Sequence, residues 1–342
     1  MQTINVGLIG CGAFAQGMHI PNLKKNPKFR IHAAMDIDQA IADQVAKDTG
    51  ADYATTDLHK LLADPAIRAV FITTRHDSHA ALSIQAAEAG KHILCEKPMG
   101  LDREECRSVA EAVNKAGVKY TVGYNRGMAP LVAKACGLLN TVSGKKMIYH
   151  RIQAPFPEDS WTHDPKVGGG RFVGEGCHIF DLLCELVQSP PVLVYAAGGT
   201  FLDPAKVKIP DSGIITLTFA DGSVGTTLIA SAGCAAFPKE ATEIYCAGKA
   251  IYINDFREMS YFGFEAQERA RLEYGVADKG QAIEIDQLAD AIINDTEPPN
   301  GLVKAARAAV ISFKVSESIK NKAPVPVCES EYKWQIQERI NL

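Results

Sequence analysis

The opening of the chain constrains its fold most. Residues 4–9, Ile-Asn-Val-Gly-Leu-Ile, read as a short buried strand, Gly10-Cys11-Gly12-Ala13-Phe14-Ala15 follows at once, and a helical pattern runs on to about Lys25. A second strand at 30–35 then ends at Asp36. A glycine-rich turn alone says little. Between a strand and a helix, in a unit that continues to a second strand with a terminal carboxylate, it reads as a dinucleotide-binding fingerprint. Gly10 allows the tight turn, Gly12 removes a side chain where a pyrophosphate approaches the backbone, and Ala15 lets the helix pack close on the strand. The N–H groups at the helix start carry partial positive charge that suits the phosphates.

Asp36 selects the cofactor. A carboxylate at the end of the second strand accepts hydrogen bonds from the ribose hydroxyls and repels a 2′-phosphate. No arginine follows closely enough to hold that phosphate, so NAD is favoured over NADP. Either Asp36 or Asp38 could instead cap the helix at 39–48. Assigning the cap to Asp38 leaves Asp36 for the ribose.

Strand and helix alternate to residue 123, which predicts a doubly wound parallel sheet. Beyond it the pattern is mainly β at 145–153, 213–220, 223–230, 241–246 and 250–253, with turns at Ala220-Asp221-Gly222 and Ala247-Gly248-Lys249. Helices are expected near 129–139, 177–187, 281–294 and 302–320. The expected organisation is thus a Rossmann domain over 1–123 and an α+β domain over 124–342 with a large, mostly antiparallel open sheet. One face of that sheet carries helices, and a second subunit is the simplest cover for the other.

Composition excludes several classes. The net charge is −4 with scattered Lys and Arg, which argues against nucleic acid or an anionic membrane as partner. No apolar run approaches the ~20 residues that span a bilayer. The chain enters its first strand directly, so no signal peptide is expected. The nine cysteines form no CxxC pair and read as small core residues in a reducing cytoplasm.

Two segments carry candidate chemistry. Glu96-Lys97-Pro98 follows a strand at 92–95 and so lies at the carboxyl edge of the parallel sheet, where ligands bind. Lys97 there would sit beside the nicotinamide ring, and a cis bond to Pro98 would aim it. The second segment runs Gly168-Gly169-Gly170-Arg171-Phe172-Val173-Gly174-Glu175-Gly176-Cys177-His178-Ile179-Phe180-Asp181. Its three glycines suggest a substrate-approach loop. Ile179, Leu182, Leu183 and Leu186 form the apolar stripe of the helix that follows, while His178 and Asp181 lie three apart on another side.

These residues resemble the Gfo/Idh/MocA family of oxidoreductases. The matching features are the fingerprint at 10–15, the loop from Thr74 to His79, Glu96-Lys97-Pro98, Gly123-Tyr124-Asn125-Arg126, the run at 168–181, and the C-terminal stretch at 298–325. The resemblance implies a Rossmann domain plus an open-sheet domain, assembled as a homodimer or homotetramer through that sheet. It implies nicotinamide-dependent oxidation of a secondary alcohol on a sugar or polyol, or the reverse. The family's lysine falls on Lys97 and its histidine on His178. The loop with Thr74, His76 and His79 is expected over the cofactor together with Gly10, Gly12, Ala13, Phe14, Ala15, Asp36 and Glu96. One departure stands out: many sugar-oxidising members carry Asp four residues before the histidine, where this chain has Gly174 with Glu175 beside it.

The remaining candidates stay open on sequence. His76 and His79 form an HxxH pair that lacks a third ligand, so no metal site is expected. Asn125 and Arg126 either touch substrate or, for Arg126, pair with a carboxylate. Trp161, ahead of His163 and Asp164, either stacks on a sugar or fills a core. Arg171 is either a solvated surface charge or a recognition group for an acidic or phosphorylated substrate. Glu175 either meets a sugar hydroxyl or Lys97, or favours a helix N-terminus from its approach. In the expected reaction His178 is the general base, with an ordinary pKa of about 6.5 suited to neutral pH. Lys97 stabilises the developing alkoxide, and Asp181 either orients His178 or faces solvent. A glycosidase using transient oxidation, and a non-catalytic dinucleotide-binding regulator, are the rival outcomes.

Overall fold

A computed structural model describes residues 3–264, 270–273 and 275–334. The chain divides into two compact units. The first comprises the residues up to Gly123, Gln281–Ala306 and the stretch from Tyr332 onward; the second comprises Tyr124–Gly280 and Arg307–Glu331. This corrects the expectation that everything from 124 to 342 forms the second domain. The outermost residues of the expected domains, 1–2 and 335–342, lie outside the described residues.

The first unit is built on six parallel strands: β1 (Ile4–Ile9), β2 (Phe29–Met35), β3 (Tyr53–Thr55), β4 (Ala69–Ile72), β5 (His92–Cys95) and β6 (Tyr120–Val122). Their order is β3-β2-β1-β4-β5-β6. The order reverses between β1 and β4, which pair Ile9 with Ile72, so the ligand-binding edge falls at their carboxyl ends. The helices α1 (Ile20–Lys25), α2 (Gln39–Thr49), α3 (Leu58–Ala63), α4 (His79–Glu88) and α5 (Arg103–Ala116) connect the strands. Their ends follow local chemistry. Asp38 accepts the Ala40 N–H to start α2, Asp102 accepts the Glu105 N–H to start α5, and Gly50 and Gly117 close the same helices at positive φ. The return of the chain has an apolar cause. Ile285, Leu288, Ala289 and Ile292 of a later helix are buried in one cluster with Ile4, Val6, Leu8 and Phe71 of the sheet.

The second unit opens with α6 (Pro130–Leu139), β7 (Lys146–Gln153) and α7 (Cys177–Val187). The strands β8 (Pro191–Gly199), β9 (Ser212–Phe219), β10 (Val224–Ala230), β11 (Glu240–Cys246), β12 (Lys249–Asn254), β13 (Glu258–Phe262) and β14 (Ala270–Glu273) follow. The helix α8 (Gln281–Asn294) belongs to the first unit, and α9 (Leu302–Asn321) runs from the first into the second, ahead of the short β15 (Val325–Pro326). The sheet order is β14-β13-β12-β11-β7-β10-β9-β8-β15. Among its described pairings, β7 with β10 is parallel and the others are antiparallel.

The strands β7, β9, β10 and β11 alternate. Ile148, Ile152, Ile215, Leu217, Ile229 and Ile244 point to a buried face, against which α7 packs; a methyl group added at Gly225 would lie 3.2 Å from Leu183. The other face exposes Met147, Tyr149, Tyr195, Ile214, Tyr245, Tyr252 and Phe262. Among the described residues no helix is long and apolar enough to cross a membrane.

Candidate active site

In the first unit the turn after β1 has the geometry a dinucleotide needs. Gly10 sits at φ 91°, and a Cβ there would lie 2.9 Å from the Thr73 carbonyl carbon and from Thr74 Cγ2. A Cβ on Gly12 would meet nothing within 4 Å, so open space adjoins the backbone at that glycine. Ala13 and Phe14 are exposed and Ala15 is buried. The helix starts at Ala13 and passes through a π turn at Ala15–His19 before α1. Asp36 closes β2. Its Oδ2 accepts the Cys11 N–H at 2.7 Å and its Oδ1 the Asp38 N–H at 3.1 Å, while the capping of α2 falls to Asp38. Burial raises the Cys11 thiol to a pKa of about 12, so it stays protonated between Asp36 and the turn. Ile37, next to Asp36, is 92% exposed, an apolar surface the sequence reading passed over. These residues fit a bound dinucleotide: an open backbone at Gly12, a carboxylate aimed by backbone amides, and apolar side chains left uncovered.

The segment after β5 is held by two histidines. The Lys97–Pro98 peptide bond is cis. Glu96 is buried, with His19 Nε2 2.7 Å from its Oε1, and its Oε2 accepts the Lys97 N–H at 3.2 Å. Burial works to raise the Glu96 pKa, but His19 and Lys97 outweigh it and hold the carboxyl below its ordinary range. Glu96 was expected at the cofactor; its carboxylate instead faces His19 and fixes the Lys97 backbone. His79 was expected there too. Its ring is fully buried, with its nitrogens 2.8 Å from Pro98 O and 3.1 Å from Thr74 O, so it braces the Thr74 loop against Pro98. Burial lowers its pKa and favours the neutral ring. His76 is buried against it, with ring centroids 5.6 Å apart. Among the described residues no group of three or more His, Cys, Asp or Glu side chains is arranged to hold a metal ion.

In the second unit the three glycines are packed by protein. A Cβ on Gly168 would lie 2.2 Å from Thr162 Cα, and one on Gly170, at φ 78°, would lie 2.3 Å from Ile209 Cδ1. At these two positions the expected approach loop is a close-packing device. Helical backbone begins at Gly170, passes through a π turn at Phe172–Gly176, and continues as α7. Glu175 therefore lies inside a helical run, and its role as a charge in the approach to the N-terminus is corrected. Its Oε1 accepts from Arg126 Nη2 at 3.0 Å, and Lys239 Nζ lies 3.7 Å away. His178 is buried against Tyr124, ring centroids 5.9 Å apart in an edge-to-face arrangement. Asp181 is fully buried and does not face solvent; Arg307 Nη2 lies 3.8 Å from its Oδ1.

Arg126 is the centre of a buried charge cluster. Its Nε and Nη2 donate to the two oxygens of Glu240 at 2.7 and 3.0 Å. Lys279 donates to the same carboxylate, and His150 Nε2 lies 3.8 Å from it. Burial works against the charge on Glu240, but Arg126 and Lys279 prevail and hold it far below the usual carboxylate range. Burial pushes His150 down to a pKa of about 4, so it is neutral at pH 7. Asn125 donates its amide to Lys279 O at 2.8 Å. Gly280 lets that chain pass: its Cβ would lie 2.5 Å from Asn125 O. Trp161 is half-buried on a short 3-10 turn, Trp161–His163. Arg171 is buried rather than a solvated surface charge, with its guanidinium over the ring of Phe156 at 4.2 Å.

Sequence reasoning missed His19, His150, Glu240, Lys279 and Arg307. Only Glu240 left a signal. Glu240, Thr242 and Ile244 share the inward face of β11, and a charged residue on an inward face demands a buried partner.

Comparison with known proteins agrees with this architecture. Residues 4–124 match the family model "Oxidoreductase family, NAD-binding Rossmann fold", and residues 143–251 match the GFO/IDH/MocA C-terminal domain. The chain is 32% identical over 223 residues to the uncharacterized oxidoreductase YrbE of Bacillus subtilis (strain 168), a match covering 65% of each chain. It is 28% identical over 225 residues to the myo-inositol 2-dehydrogenase of Thermotoga maritima, covering 65% of this chain and 67% of that one. The match thus spans about two thirds of the length of these relatives. Among solved structures, levoglucosan dehydrogenase in complex with NADH and levoglucosan superposes with a TM-score of 0.86 at 23% identity, covering 95% of this chain and 100% of that one. The chain belongs to the GFO/IDH/MocA family of oxidoreductases, and its first unit is an NAD-binding Rossmann domain.

Proposed function

We propose that this protein is an NAD-dependent dehydrogenase acting on a secondary hydroxyl of a sugar or polyol. The observation that carries the proposal is the NAD-binding Rossmann unit with Lys97 held at the carboxyl edge of its sheet after β5, in a chain whose second unit offers His178 in the first turn of α7 and whose relatives include an inositol dehydrogenase. When bound, the nicotinamide supplies the electron acceptor. His178 takes the hydroxyl proton, and its contact with Tyr124 fixes the ring. Lys97 donates a hydrogen bond to the same oxygen and stabilises it as charge develops. Glu96 and His79 hold the Lys97–Pro98 segment from below. Glu175, aimed by Arg126, binds a substrate hydroxyl, and Trp161 offers an aromatic face to the sugar. Asp36 gives the preference for NAD. A second copy of this chain covers the exposed face of the nine-stranded sheet, a role supported by its row of Tyr, Met, Ile and Phe side chains.

The test is NADH formation with a panel of sugars and polyols. Turnover is expected for at least one member, falling about 10²–10³-fold in Lys97→Met while NADH binding persists. Release of a free sugar without net NADH would favour a glycosidase. Dinucleotide binding with no turnover on any sugar, and a Lys97→Met variant indistinguishable from wild type, would reduce the protein to a sensor.

A further inference from the structure

Arg171 is a charge in the second unit that the proposed chemistry does not use. It follows the glycines directly, and only 4% of its surface is exposed. Its Nε and Nη2 are buried and have no hydrogen-bond partner among the described residues. The ring of Phe156 lies over the guanidinium at 4.2 Å, and His163 packs against that ring with centroids 5.2 Å apart. An aromatic face engages the face of a guanidinium and leaves its N–H edge unfilled. Nε and Nη2 form one such edge, a planar fork that matches two oxygens of an oxyanion. The same edge of Arg126 grips both oxygens of Glu240.

The neighbouring carboxylates Glu175, Asp211 and Glu240 act on Arg171 by charge, while their oxygens bond other groups. Glu240 holds Arg126 and Lys279, and Glu175 holds Arg126. Asp211 accepts the N–H groups of Phe201 and Leu202 and the hydroxyl of Ser212. Burial works to lower the Arg171 pKa, yet a guanidinium keeps its proton in proteins. The tight packing of Gly168 and Gly170 fixes where the side chain starts, so this is no mobile surface arginine.

We propose that Arg171 binds an oxyanion carried by the substrate, which makes the substrate an acidic sugar. The group recognised is a carboxylate or a phosphate, either of which presents two oxygens to the fork. The proposal rests on the dehydrogenase activity above.

The test compares a hexuronate, its neutral parent hexose and a hexose 6-phosphate, by NADH formation and by calorimetric binding to the NADH-loaded protein. One acidic probe is expected to exceed the neutral hexose by at least about tenfold in kcat/KM. Arg171→Leu is expected to lose about 10–100-fold toward that probe, and Arg171→Lys to retain part of it. The probe that responds assigns carboxylate or phosphate. A wild type that handles the neutral hexose as well as both acids overturns the proposal and leaves the dehydrogenase intact. An acid preference untouched in Arg171→Leu also overturns it. Acid binding that Arg171→Leu abolishes, with no probe oxidised, supports the anion site and refutes the dehydrogenase instead. Should Arg171→Leu fail to fold, the wild-type comparison and Arg171→Lys decide the matter.

Discussion

Replacing Glu240 by Gln removes the buried charge at the centre of its cluster. Its side chain is 1% exposed and that of Arg126 5%. The variant leaves Arg126 with Glu175 alone and leaves Lys279 without its carboxylate. Breaking a buried pair by removing one partner costs about 3–5 kcal/mol. Gln keeps the shape and one acceptor oxygen, which places the expected loss near the lower end, about 3 kcal/mol. For a unit of this size each kcal/mol moves the melting temperature by about 2–4 °C, so a fall of roughly 6–12 °C is expected at pH 7. The pH dependence makes the argument specific. The folded pKa of Glu240 is depressed, so its contribution is fully present above the unfolded value near 4.5 and is lost progressively as pH falls below it. The gap between wild type and Glu240→Gln should therefore be constant from pH 7 to 5 and shrink below 4.5. His150 acts in both proteins but not equally, because the Glu240 charge raises its pKa and the variant lets burial depress it further. It is depressed from 6.5 to about 4, so the stability it contributes is present above 6.5 and lost as pH falls through that window. Thermal melts of both proteins from pH 7 to 3.5 give the curves. A gap under about 1 kcal/mol at pH 7 would refute the reasoning, since it is the size expected of a solvated surface pair. So would a gap that does not narrow in acid.

Asp36→Ser should narrow the preference for NAD over NADP, measured as the ratio of kcat/KM, because it removes the negative charge from the place of the 2′-phosphate. A wild type that uses NADP at least as well as NAD would remove Asp36 from cofactor choice. His178→Asn should abolish most turnover together with the limb of the pH–rate profile that requires a deprotonated group; an unchanged profile would move the base elsewhere.

The first unit was legible because its signals are local. The turn at Gly10 and Gly12, the cap at Asp38 and the helix stops at Gly50 and Gly117 each act within a few residues. Membership of the later helix α8 was not legible: its apolar stripe says that it packs, not on what. In the second unit β8 was missed because Ala196-Ala197-Gly198-Gly199 has almost no alternation to read. The buried ion pairs of both units were legible only in part. Arg126 meets Glu240 across 114 positions and His19 meets Glu96 across 77, and nothing in either neighbourhood names the partner. Arg171 was read as either surface or site because charge alone does not report burial.

The fingerprint helix and the helix of His178 share a structural device, and it explains why one residue resisted reading. Both contain a π turn, at Ala15–His19 and Phe172–Gly176. A π turn admits an extra residue, so side chains before it are rotated out of the phase that 3.6-residue periodicity assigns them. Glu175 lies inside such a turn and His178 after it. Their spacing of three therefore does not put them on one face in the way it would in a regular helix. Gly174, where the family resemblance implies an Asp, is buried in the same turn. A carboxylate at 174 and one at 175 leave the helix in different directions and are not interchangeable. This chain has the second, and Arg126 holds it. On the proposed function, that altered phase and the charge of Arg126 on Glu175 would direct how a substrate hydroxyl is met, and a relative that keeps the Asp would present its carboxylate along a different direction.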